Sequence, residues 1–303
     1  MIESILNRVA AGQDLTQEEM ATTMDSIMQG HWQSPQIASL LTGLRAKGET
    51  VDEVAGAAAA MRRHMTPIRS RRSDLVDTCG TGGDRSGTFN ISTAAAIVTA
   101  AAGVAVAKHG NRKVSSRSGS ADVLAELGVN IEAPVAVVER CLEELGLAFC
   151  FAPLLHPAMK HVAAVRRELK IPTIFNLLGP LSNPASAPFQ VIGVGRPELR
   201  PLLAAALAQL GTRRAVVLSG ADGLDEVTMA TETWVSEVHQ DDVRERRWSP
   251  QDFGLPVSEL SSMQADSPDG SAAIIRQVLA GKTGPARDIV LANAAAALWV
   301  VGR

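Results

Sequence analysis

Over the first stretch of the chain, apolar residues recur every three or four positions with polar residues between them, the period of helices with one buried face. Met20, Met24, Ile27 and Met28 form one such face, and Thr16 with Glu19 three residues on makes a near capping box ahead of it. Ser34-Pro35 opens a second helix with proline at its first position, and Ile37, Leu40, Leu41 and Leu44 are its stripe. A third helix is predicted from about Val51 to Met65. Thr66-Pro67 and the basic run Arg69-Ser70-Arg71-Arg72 then read as a linker.

The period changes at Asp74. Short apolar strands at 75–77, 104–107, 191–194 and 215–218 alternate with Ala-rich helical stretches at 91–102, 121–127 and 199–210. Such alternation predicts an α/β class with a mainly parallel sheet flanked by helices. Residues 156–169 read as a helical insertion after Pro153, followed by a Pro- and Asn-rich stretch through Pro188. The expected organisation is a small, discontinuous all-helical domain, 1–67 with the insertion at about 154–188 packed on it. A larger α/β domain takes 74–153 and 189–303.

Composition narrows the partners. With 29 Lys and Arg against 32 Asp and Glu the net charge is −3, so no global positive field favours nucleic acid. Six Phe, four Trp and no Tyr are too few for a base-stacking platform. Cys79, Cys141 and Cys150 fit neither a paired disulfide framework nor a Cys-x-x-Cys metal site, which points to a reducing compartment. The first residues lack the basic start and apolar block of a signal peptide, and the apolar runs stop short of the roughly 20 residues a membrane span needs. A cytoplasmic location with no membrane contact is expected.

In open parallel sheets, ligands sit beyond the carboxyl ends of the strands, so the polar loops there are where chemistry belongs. The first is Asp77-Thr78-Cys79-Gly80-Thr81-Gly82-Gly83-Asp84-Arg85-Ser86-Gly87-Thr88-Phe89-Asn90-Ile91-Ser92-Thr93. Its glycines let successive backbone N–H groups converge on an anion, and Asn90, Ser92 and Thr93 open a helix whose amides and dipole favour phosphate. It is neither a Rossmann fingerprint nor a Walker loop, because Arg85 stands where a third Rossmann glycine would fall and Thr88, not lysine, follows Gly87. By itself it also reads as a glycine-rich surface turn. The second loop, from Lys108-His109-Gly110-Asn111-Arg112 to Ser120, carries four cations and four serine hydroxyls. It leaves a neighbouring strand, so the two loops should face one cleft. The third, Asp222-Gly223-Leu224-Asp225-Glu226, places adjacent carboxylates after the strand at 215–218. Magnesium commonly meets a protein through one or two carboxylates plus substrate phosphates. A phosphate cleft facing that pair reads as a magnesium–polyphosphate site.

Other templates fail. His156 and His161 are five apart, about 140° around a helix, and share no zinc-binding face. Arg166 or Arg167 could hold a carboxylate bidentately, or simply form a surface ion pair. No Gly-x-Ser-x-Gly elbow is present, and Cys79 has no helix start or base placed to activate it, so it reads as a small buried residue.

The ordered set Gly80-Thr81-Gly82-Gly83-Asp84, Asn90-Ile91-Ser92-Thr93, Lys108-His109-Gly110-Asn111-Arg112, His156-Pro157-Ala158-Met159-Lys160, Phe175-Asn176-Leu177-Leu178-Gly179-Pro180-Leu181 and Asp225-Glu226 closely resembles the anthranilate phosphoribosyltransferase family. The likeness spans essentially the whole chain. It implies the nucleoside phosphorylase/phosphoribosyltransferase class fold, a homodimer through the helical domain, and transfer of phosphoribose from phosphoribosyl pyrophosphate to the amine of anthranilate in tryptophan biosynthesis, assisted by Mg2+. It assigns Gly80, Gly83, Asp84, Thr88, Asn90, Ile91, Ser92, Thr93, Lys108, His109, Gly110, Asn111, Arg112, Lys113, Val114, Ser115, Ser116 and Ser120 to phosphoribosyl pyrophosphate. Ser92, Asp225 and Glu226 are the implied magnesium ligands. Gly80, Asn111 and Arg166 are the implied anthranilate contacts, with Ala152, Pro153 and Met159 as walls. An aryl amine is unprotonated at neutral pH, so no dedicated acid or base is expected and no single histidine should be essential. The resemblance also implies further helical sequence beyond Arg303. A pyrimidine nucleoside phosphorylase and a non-catalytic nucleic-acid-binding relative are the rival readings; the Lys108–Arg112 run and the Asp225-Glu226 pair speak against the first, and the net charge and that acidic pair against the second.

Overall fold

The computed structural model describes residues 2–84, 86–112 and 118–303. Of the residues singled out above, Arg85, Lys113, Val114, Ser115 and Ser116 therefore lie outside the described residues. The chain opens with α1 (Ile2–Ala10), α2 (Gln17–Met28), α3 (Ser34–Lys47) and α4 (Val51–His64). At α2 the capping box is complete, with Glu19 N–H donating to Thr16 Oγ1 at 3.2 Å and Thr16 N–H to Glu19 Oε2 at 2.9 Å. Thr50 and Glu53 repeat it at α4. Glu53 is fully buried, and its carboxylate also accepts from Leu15 N–H and Lys47 Nζ, which satisfies a charge that would otherwise be costly inside. Gly56 lets α4 lie directly on α2, since a Cβ there would stand 2.3 Å from Gln17 O.

Strands and helices then alternate: β1 (Val76–Gly80), α5 (Ile91–Ala101), β2 (Val106–Gly110), α6 (Ser120–Glu126), α7 (Val135–Leu145), β3 (Leu147–Phe151), α8 (Ala152–Leu155), α9 (Lys160–Leu169), α10 (Phe175–Leu181), β4 (Phe189–Gly193), α11 (Leu199–Gln209), β5 (Arg214–Gly220), β6 (Thr233–His239), β7 (Asp242–Trp248), α12 (Pro268–Leu279) and α13 (Pro285–Val301). They form one sheet in the order β3-β2-β1-β4-β5-β6-β7, parallel from β3 to β5 and antiparallel at β6 and β7.

Successive residues of a strand face opposite sides, and here they feed two cores. Ala215 and Val217 of β5 join a core with α11 and the N-terminal helices, while Val216 and Leu218 join one with α5, α12 and α13. Val162 and Val165 of α9, Ile174 just before α10, and Phe175, Leu177, Leu178 and Leu181 of α10 are buried in the first core beside Met20, Met24, Leu40, Leu41 and Leu44. The helical layer and one face of the sheet thus share an apolar interior.

Three departures from the sequence pattern have local causes. The strands at 75–77 and 104–107 extend to Gly80 and Gly110, because Gly80 pairs with Gly193 of β4 and Gly110 with Phe151 of β3. The helix expected over 156–169 is broken, with a 3-10 turn at Pro157–Met159 before α9. β3 directly follows α7 and is uniformly apolar, and β7 is an exposed, charged edge, so neither shows one-sided alternation. Among the described residues no helix is long and apolar enough to cross a membrane.

Candidate active site

The carboxyl ends of β1, β2 and β5 open on one cavity of about 440 Å3, and Thr81, Lys108 and Asp225 all line it. So do Gly80, Gly83, Asp84, Thr88, Asn90, Ile91, Ser92, His109, Gly110, Asn111, Arg112, Ser120 and Glu226. β1 delivers the glycine loop, whose course is pinned by Thr81 N–H donating to Gly193 O at 2.9 Å. Gly82, Gly83 and Gly87 adopt φ of +67°, +86° and +70°, a region that disfavours side chains. The loop then docks on a distant segment, Phe89 N–H donating to Met263 O and Asn90 N–H to Ser271 Oγ.

Two glycines, Gly193 ending β4 and Gly195 just beyond it, make the site possible, and no role was expected for either. A Cβ on Gly193 would stand 1.6 Å from Asp225 O, and one on Gly195 would stand 2.8 Å from Asp84 Cα. Only bare backbone at both positions lets the glycine loop and the acidic loop close together. The Gly193-Val194-Gly195 repeat at a predicted strand end was the available signal. Met263 and Ser271 carried none.

At the start of α5, Ser92 N–H donates to Glu226 Oε1 at 3.0 Å, so a helix-opening amide that the loop pattern offered to phosphate is held by a carboxylate. Thr93 is buried behind the cavity with its hydroxyl donating to Asn90 Oδ1, and does not line it. Lys108 Nζ donates to Thr78 O and, at 3.2 Å, to Ser92 Oγ. Burial lowers the Lys108 pKa against the raising pull of Asp77, Cys79, Glu226 and Asp225. The carboxylates move the other way. Burial, with the Asp84 and Glu226 charges beside it, raises Asp225 well above the usual carboxylate range. Burial also pushes Glu226 up to about 7, although Lys108 opposes the shift. Crowded acids of this kind call for added positive charge. Among the described residues no three His, Cys, Asp or Glu side chains gather in a group that could hold a metal ion by themselves.

His109 is buried and fully engaged: Nδ1 lies 3.0 Å from Gly179 O and Nε2 3.2 Å from His156 Nε2. With Nδ1–H donating to the carbonyl, the neutral His109 ring presents an acceptor at Nε2 to His156, whose ring also meets the Ser182 backbone. Burial drives His109 down to about 3 and His156 down to about 4. Neither ring nitrogen of His109 is free to serve as a base. Cys79 lines the cavity half-buried rather than buried, and desolvation raises its thiol well above the usual value, against thiolate formation. The Arg112 guanidinium is engaged by Asp122 and Glu132 and lies over the Phe151 ring.

The residues expected to contact an aromatic acid are spread out. Gly80 and Asn111 line the cavity; Ala152, Pro153, Met159 and Arg166 do not. Ala152 and Pro153 follow β3, whose last residue pairs with Gly110. The Arg166 guanidinium sits over the Phe175 ring, 5.3 Å from its centroid, with its pKa lowered by burial.

Two family models match this chain. A glycosyl transferase family α/β domain covers residues 72–303, and the helical bundle domain of the same family covers 3–65. The fold is therefore that of a glycosyl transferase of this class. Anthranilate phosphoribosyltransferase of Moorella thermoacetica is 52% identical over 302 residues, with 100% of this chain and 89% of the relative covered. That of Pelotomaculum thermopropionicum is 51% identical, covering 100% and 88%. The crystal structure of the Thermus thermophilus enzyme superimposes with a TM-score of 0.93 at 43% identity, covering 98% of this chain and 89% of that one. A Saccharomyces cerevisiae structure in complex with PRPP and Mg gives 0.89 at 30% identity, covering 99% and 88%. The chain belongs to the anthranilate phosphoribosyltransferase family.

Proposed function

We propose that this protein transfers the phosphoribosyl group of phosphoribosyl pyrophosphate to the amine of anthranilate, releasing pyrophosphate, as a cytoplasmic enzyme of tryptophan biosynthesis. The observation that carries this reading is the meeting of the glycine loop, Lys108 and the Asp225–Glu226 pair around one cavity. The glycine-loop amides and the Lys108 ammonium supply fixed positive potential for phosphate oxygens. Asp225, Glu226 and Ser92 would hold Mg2+, which when bound offsets the negative charge gathering on the leaving group. The anthranilate nitrogen forms a bond to C1 of the ribose, the C1–oxygen bond breaks with its electron pair leaving on pyrophosphate, and the nitrogen then sheds a proton. Gly80, Asn111 and Arg166, with Ala152, Pro153 and Met159 beside them, would orient the aromatic acid; Lys113 to Ser116 belong to the same proposed phosphate-binding set. Positioning of this kind supplies several kcal/mol without an acid or base, in keeping with the fully engaged His109. The division into a discontinuous helical unit and an α/β unit, and dimerisation through the former, belong to the same proposal.

Loss of anthranilate fluorescence that requires both phosphoribosyl pyrophosphate and Mg2+ tests the reaction. Phosphorolysis of thymidine in its place, or salt-sensitive retention of nucleic acid on a filter, would install one of the rival readings.

A further inference from the structure

The ladder between β1 and β2 stops after one pair. Val76 stands opposite Val106, with its N–H donating to Ala105 O at 2.9 Å. β1 by contrast pairs with β4 from Val76 to Gly80, and β2 with β3 from Val106 to Gly110. Continuing the first register by two residues would set Thr78 opposite Lys108. In a parallel pair, His109 N–H would then donate to Thr78 O, and Thr78 N–H to Ala107 O.

Side chains have taken over three of those groups. Asp77 Oδ1 accepts from His109 N–H at 3.0 Å, Lys108 Nζ donates to Thr78 O, and Asn183 Nδ2 donates to Ala107 O at 2.8 Å. Asp77, Lys108 and Asn183 are all buried. Buried backbone groups must be paired, so two neighbouring strands part in the interior only where side chains replace the ladder. Here they part at the end of the sheet where the cavity opens, and Lys108 Nζ crosses the gap to reach Ser92 Oγ. Burial raises the Asp77 carboxyl above its usual range, a cost that an apolar strand residue would avoid.

We propose that Asp77 and Asn183 are positioning residues for the phosphoribosyl pyrophosphate site: they hold β1 and β2 apart and so present Lys108 to the phosphates. Neither needs to touch substrate. The proposal rests on the function given above, and its test separates the two. Calorimetric titration with phosphoribosyl pyrophosphate and Mg2+, together with the KM for anthranilate, is measured on folded wild type, Asp77→Ala, Asp77→Asn and Asn183→Leu. Asp77→Ala and Asn183→Leu are expected to weaken phosphoribosyl pyrophosphate at least tenfold while moving the anthranilate KM at most threefold. Asp77→Asn keeps an oxygen for His109 N–H and is expected to stay within threefold on both. An Asn183→Leu protein within twofold of wild type, an Asp77→Asn protein weakened tenfold, or equal losses for both substrates would overturn the proposal. Should Asp77→Ala fail to fold, the other two variants decide it by the same thresholds. Wild type that binds no phosphoribosyl pyrophosphate would instead overturn the function on which the proposal stands.

Discussion

The buried pair His109–His156 makes this protein's stability sensitive to mild acid. Both rings are depressed, to about 3 and about 4, chiefly by burial. On unfolding each returns towards about 6.5 and takes up a proton that the folded ring refuses. The sign follows: their contribution is fully present above about pH 6.5 and is lost as pH falls towards 4 and then 3. At pH 5 the loss is about 2 kcal/mol per ring, RT ln(1 + 10^1.5), as long as the folded values lie below 5. Two rings give about 4 kcal/mol, a large part of the roughly 5–15 kcal/mol that holds a domain together. Glu226, raised by burial to about 7, acts in the opposite sense over the same interval. The histidine contribution is therefore read as a difference between proteins. Urea unfolding followed by tryptophan fluorescence at pH 7 and pH 5 should show wild type losing about 4 kcal/mol more than a His109→Gln, His156→Gln double variant, with either single variant near half. Parallel pH dependences of wild type and double variant would refute the assignment of a neutral buried pair.

Other outcomes follow from the proposed function. Arg166→Ala should raise the anthranilate KM roughly 10- to 100-fold, the scale of about 1.5–3 kcal/mol for a hydrogen bond to a charged group; Arg166→Lys should recover little, because an ammonium lacks the planar fork, and unchanged affinity in Arg166→Ala would remove Arg166 from the site. Glu226→Ala should shift the Mg2+ activation midpoint at least about tenfold, and a wild-type midpoint in that variant would displace Glu226 from the metal set. Gly195→Ala places a Cβ against the Asp84 backbone, and titration should show weaker phosphoribosyl pyrophosphate binding with the circular dichroism spectrum retained; wild-type binding would show that the loop can yield there.

Much of the architecture was legible because burial here is periodic. The α2 and α3 stripes appear as buried faces, and the β4 and β5 positions alternate between two cores. The three loops were legible because glycine, lysine and paired carboxylates at strand ends have few structural uses in common. β3 and β7 were not, since one is apolar throughout and the other is a charged edge. Arg112 shows the limit of reading residue type alone, because neighbours 10 and 20 positions away engage its charge.

By itself, then, the order of residues determined the helices α2 to α4 and the strands β1, β2, β4 and β5, that phosphate-friendly loops would end adjacent parallel strands, and which chemistry those loops resemble. Tertiary structure decided what each group is free to do. It set Gly193 and Gly195 against two loops remote in sequence, buried His109 against His156, and gave Glu226 the Ser92 amide in the first turn of α5. It also parted β1 from β2 by inserting Asp77, Lys108 and Asn183 where the ladder would have run. The reason is physical: periodicity is a local property of the chain, whereas desolvation, close backbone approach and the choice of hydrogen-bond partner depend on segments that meet only when the chain is folded.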